Sequence, residues 1–91
     1  MYRIVLVCTG VPVQEGFEGA RCITEEFKHR PWHRNVTCEW DGSRLSLQAD
    51  NDFDPKGLAL MDEFSDSISA CIKDVGDGNI IVQSVTVQSS L

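Results

Sequence analysis

Three stretches of this chain hold residues whose types and spacing could do chemistry. Lys28-His29-Arg30-Pro31-Trp32-His33-Arg34 gathers three cations, two imidazoles and an indole. Such cations hold carboxylate or phosphate, and histidines answer to pH, so Lys28, His29, Arg30, His33 and Arg34 form a candidate anion site. The competing reading is structural: cations at a helix end offset its dipole, and the loop is solvated. Asp50-Asn51-Asp52-Phe53-Asp54 sets three carboxylates at alternate positions, as at the start of a calcium loop. Pro55 replaces the glycine of that loop and Met61 its bidentate glutamate, so capping of a helix is the better reading. The third stretch is Val7-Cys8-Thr9-Gly10, where a cysteine closes an apolar run just before a turn.

The four cysteines, at 8, 22, 38 and 71, stand singly, and no pair has metal-ligand spacing. No metal or cofactor is expected. The apolar run at the start is too short for a signal peptide, so the cysteines read as reduced thiols of a cytoplasmic protein. Cys38 and Cys71 fall on apolar faces, and Cys22 falls off one. With 91 residues, 42% of them hydrophobic, the chain fits one globular domain, 1–91. Its net charge of −6 argues against nucleic acid and anionic membrane as general partners. No apolar run approaches the roughly 20 residues that span a bilayer.

The elements that must position these residues follow from hydrophobic period. Arg3 to Cys8 alternates as a strand with apolar residues on both sides, which suits a central position. Val13, Phe17, Ala20, Thr24 and Phe27 recur at helical spacing, with Ile23 on the margin. Gly16 and Gly19 weaken that helix by about 1 kcal/mol each relative to alanine. Val36-Cys38-Trp40 and Leu45-Leu47-Ala49 alternate on either side of Asp41-Gly42, a strong hairpin signal. Asp54-Pro55 opens a second helix whose stripe is Leu58, Met61, Ser65, Ile68 and Ile72. Gly76-Asp77-Gly78 then turns the chain into a last strand, Ile80 to Val87. There Ile81, Gln83, Val85 and Val87 compete with Ile80, Val82, Ser84 and Thr86 for the buried side.

This β-α-β-β-α-β order predicts an α+β, ferredoxin-like fold: a four-stranded antiparallel sheet with two helices on one face, in the order 4-1-3-2. Val7-Cys8-Thr9-Gly10 resembles the opening of the low-molecular-weight tyrosine phosphatase loop, but Gln14 stands where that chemistry needs arginine. Gly10-Val11-Pro12-Val13-Gln14-Glu15-Gly16, the Asp41-Gly42 hairpin and the closing run Val82 to Val87 resemble acylphosphatases, small domains of the same element order. That resemblance implies hydrolysis of a small phosphorylated substrate, with an arginine behind the first loop and an asparagine before the hairpin turn. The nearest residues here are Arg21 and Cys38.

Two helices can cover only one side of a sheet. The open side is expected to carry Val5 and Val7 beside Ile80 or Val82, an apolar strip for a partner or a second copy. The last strand is an uncharged edge without protecting lysine or proline. The sequence therefore reads as a small, acidic, non-catalytic interaction or ligand-binding module. It acts as a homodimer or binds a protein partner through the open face or the last strand. The alternative is an acylphosphatase-like hydrolase. Ser89-Ser90-Leu91 also fits a PDZ-type terminal motif.

Overall fold

The computed structural model describes residues 1–73 and 79–88. The Gly76–Gly78 turn and the Ser89–Leu91 motif lie outside the described residues. The elements are β1 (Tyr2–Thr9), α1 (Val13–Phe27), β2 (Arg34–Trp40), β3 (Leu45–Asn51), α2 (Leu58–Cys71) and β4 (Asn79–Val87). All strand neighbours are antiparallel, in the order β2-β3-β1-β4, which reads 4-1-3-2 from the opposite edge. Neither helix is long and apolar enough to cross a membrane.

One core lies between this α+β sheet and its helices. Ile4, Leu6 and Cys8 of β1 stand across from Ala49, Leu47 and Leu45 of β3. All six join a single buried cluster with Ala20, Ile23 and Phe27 of α1 and Leu60, Phe64 and Ile68 of α2. Both helices therefore cover the same side.

β4 keeps in phase with that core by a bulge. Leu6 pairs with Val82 and Val5 with Ser84, so Gln83 has no partner of its own on β1. The extra residue reverses the alternation: Ile80 and Val82 face the helices before it, and Val85 does so after it. Both competing parities are correct, each for half of the strand. Ile80 and Val82 are thus not on the open face, because their partners Cys8 and Leu6 point into the core. Val5 and Val7 are on that face, but Val7, between Ser46 and Ile81, is only 2% exposed. The open side is mostly polar.

The stripe of α1 also differs. Val13 and Phe17 are 70% and 67% exposed, while Gly16 and Gly19 are buried. A Cβ on Gly16 would lie 2.2 Å from the Trp40 indole, and one on Gly19 would lie 2.8 Å from Ile72. The missing side chains let α1 settle directly onto Trp40 and Ile72, which turns Phe17 outward. In α2 the buried face is Leu60, Phe64, Ser67 and Ile68, and Leu58 is exposed. Gly57, with φ of 74°, delays this helix to Leu58. Asp54 still caps it from upstream, accepting from the backbone N–H groups of Ala59 (3.2 Å) and Leu60 (2.9 Å).

The hairpin turns one residue later than Asp41-Gly42, since the Asp41 N–H donates to the Arg44 carbonyl. Asp41 instead braces the turn: its Oδ1 accepts from the N–H groups of Ser43 and Arg44.

Cys22 and Cys71 form a disulfide between α1 and α2, with Cα atoms 5.8 Å apart. This corrects the reading of four free thiols. The two residues are distant in sequence, and only the rotation of α1 and α2 brings them face to face. Cys8 and Cys38 remain free. Alkylation of the unreduced, denatured protein should modify two cysteines, and four after reduction, as read by mass spectrometry.

Helix propensity alone would make Gly16→Ala stabilising by about 1 kcal/mol. The contact with Trp40 reverses the sign. Overpacking should cost about 1–3 kcal/mol in urea unfolding.

Candidate functional site

The basic segment leaves α1 and folds back on itself. Lys28, His29 and Arg30 donate backbone N–H groups to the carbonyls of Glu25, Glu26 and Phe27, and His33 donates to Arg30. The turn drives His33 inward, where its side chain is wholly buried. Three side chains of the segment then meet one carboxylate, Glu63 of α2. Trp32 Nε1 donates to Glu63 Oε1 at 2.9 Å, His33 Nε2 lies 2.6 Å from Oε2, and Arg30 Nε lies 3.5 Å from Oε1.

Asn51 decides the tautomer of His33. Its Oδ1 accepts from the N–H groups of Phe53 and Asp54, so its Nδ2 must be the atom 3.3 Å from His33 Nδ1. Nδ1 then accepts, and Nε2 carries the proton donated to Glu63. Arg30 also donates to the Glu26 carbonyl and stacks 5.1 Å above the Phe27 ring. Lys28 is paired with Glu25 at 2.8 Å. His29 and Arg34 are exposed. The five residues thus do not converge on an anion. Two are locked against Glu63, one is paired, and the other two stand on the surface. Arg30 and His33, together with Trp32, clasp the end of α1 to α2 through Glu63.

The three aspartates of the other stretch also part company. Asp54 caps α2, Asp52 is exposed, and Asp50 turns to the open face of the sheet. There it is 2% exposed and takes a bidentate grip from Arg3, with Nε–Oδ1 and Nη2–Oδ2 both at 3.0 Å. Asn35 donates to Asp50 Oδ2 at 2.9 Å. Asn35 adopts the left-handed region at φ 53°, inside an irregularity of the β2–β3 register. Among the described residues, no group of three or more His, Cys, Asp or Glu is placed to hold a metal ion.

Cys8 faces the core and is 1% exposed, so it does not line a phosphate loop. Burial pushes its thiol above the usual range. Cys38 is pushed up to about 12, chiefly by burial and then by Cys8 and Glu39. Both stay protonated and poorly nucleophilic near neutral pH.

A groove of about 650 Å³ lies between α1 and β2. Phe17, Ala20 and Thr24 form its helical wall, and Cys38 and Trp40 its strand wall. Glu18, Glu25 and Glu39 stand in its lining with Arg21, which reaches Glu18 at 3.4 Å. Arg21 and Cys38, the two positions singled out by the acylphosphatase resemblance, do share this groove. The guanidinium is engaged by a carboxylate, and a thiol stands where the resemblance calls for an amide. The sequence reading missed the groove because it placed Phe17 in the core. The buried glycines one position before and two positions after Phe17 were the available signal.

No protein-family model matches the chain, and no curated protein or solved structure is significantly similar to it. What the site can do rests on its own residues: two satisfied polar nodes, two inert thiols, and a half-apolar groove beside a strand edge.

Arg3, and secondarily Asn35, hold the Asp50 carboxyl below the ordinary carboxylate range against the opposing effect of burial. A depressed carboxyl stabilises the fold above its unfolded pKa, and that contribution is lost as pH falls through the folded value. Asp50→Asn should therefore be less stable than wild type near neutrality, with the gap closing below about pH 4. Urea unfolding of both proteins across that range measures it.

Proposed function

We propose that this chain is a non-catalytic interaction module of ferredoxin-like architecture that works as a homodimer through the outer edge of β4. The observation that supports it is β4 itself. From Asn79 to Val87 the strand carries no charge, pairs only with β1 among the described strands, and exposes Ile81 (49%) and Val87 (76%). Natural edge strands are guarded by lysine, proline or covering elements. Among the described residues the Gln83 bulge is the one such device, and no described strand pairs with the outer side of the stretch before or after it. Two copies of β4 meeting about a two-fold axis would extend the ladder into an eight-stranded sheet.

The hydrolase reading has less support. The polar side chains that could position a phosphate or a water hold one another instead, and the groove thiol stays protonated. The disulfide is chemistry that persists in oxidising surroundings, so the proposed setting is an oxidising compartment and not the reducing cytoplasm.

Light scattering should give about twice the 10.1 kDa chain mass. Ile81→Lys, which adds the missing edge guard, should return the protein to a monomer. A wild-type monomer at millimolar concentration would end the proposal.

A further inference from the structure

The opposite edge of the sheet has a different character. β2 pairs only with β3 among the described strands, so its outer backbone groups have no ladder partner. The α1 groove runs beside that same edge. An unpaired strand edge next to a half-apolar trough is an arrangement that takes an extended peptide: main-chain hydrogen bonds supply affinity, and alternate side chains supply choice.

Phe17 offers the anchor. It is 67% exposed in the groove wall, opposite Trp40, where an aromatic ring has area to lose to a ligand. The sign of the partner follows from charge. Arg21 is held by Glu18 and Lys28 by Glu25, while no described cation lies within ion-pair distance of Glu39, on the edge strand. The chain as a whole is at −6. An acidic segment would be repelled, and a basic one attracted.

We propose that the outer edge of β2 and the α1 groove together accept an extended segment of a partner protein as an added strand. Its side chains facing the groove are apolar, and a lysine or arginine lies beside Glu39. This site does not depend on the β4 contact, because β2 and β4 are the two opposite edges of the sheet. A β4 dimer would carry two free β2 edges.

The test uses the full chain with its disulfide intact. A random nonapeptide library displayed on phage is selected against it, and enriched peptides are measured by calorimetry. Support would be sequences alternating apolar residues with a lysine or arginine. Phe17→Ser should weaken their binding roughly tenfold. Glu39→Lys should weaken basic peptides and remove the charge preference. N-methylation of alternate peptide amides should abolish binding on one phase and spare it on the other. Phe17 is exposed, so both variants should keep the wild-type circular dichroism. No enriched sequence, an acidic consensus, or affinity unmoved by Phe17→Ser would overturn the proposal. So would occupancy of the edge by a second copy, seen as a dimer that survives Ile81→Lys but not Phe17→Ser.

Discussion

The contact on which this structure most depends is the seating of α1 on Trp40 and Ile72 through two glycines. Gly16 and Gly19 have nothing to place between the helix and its neighbours, so the backbone itself comes down onto the indole and the isoleucine. This fixes the rotation of the helix about its axis. Ala20, Ile23 and Phe27 then reach the core, and Val13 and Phe17 are left outside. The same rotation aims Cys22 at Cys71 and opens the groove along β2. Two residues that lower helix propensity thus set the position of the Cys22–Cys71 cross-link and of the groove along β2.

Around that frame two carboxylates gather polar side chains from remote segments. Glu63 gathers an indole, an imidazole and a guanidinium from the loop after α1, and Asn51 fixes the imidazole from its other side. Asp50 does the same for Arg3 and Asn35 on the open face. Each node ties segments remote in sequence, and each leaves its buried polar atoms satisfied. A cluster of cations in sequence is therefore a poor guide to an anion site when a facing helix supplies the counter-charge.

Because period-2 and period-3.6 patterns are properties of neighbouring residues, the element order was legible and both limits of α1 with it, while β2 begins two residues earlier and β3 ends two residues later than their alternating patterns. The Asp54 cap was legible for the same reason, although Gly57 moved the helix start. What escaped needed the third dimension. Gly16 and Gly19 read as weak points of a helix, and only the approach of Trp40 and Ile72 gives them a use. The phase of β4 could not be chosen because the strand uses both, changing at Gln83. The bond between Cys22 and Cys71 joins residues 49 apart with no local signature. Of the five candidate anion ligands, His33 went inside because Asn51 and Glu63, from β3 and α2, complete its hydrogen bonds.

The cross-link also divides the chain topologically. The bond between Cys22 and Cys71 closes a covalent ring that holds the second part of α1, the whole β2–β3 hairpin and α2 to its last residue. β1 and β4 lie outside it, joined to each other by their ladder. A protease that nicked the exposed hairpin tip at Gly42-Ser43 would open the ring without releasing a fragment. The broken molecule would still travel as one covalent piece until a reductant reached the sulfur bridge.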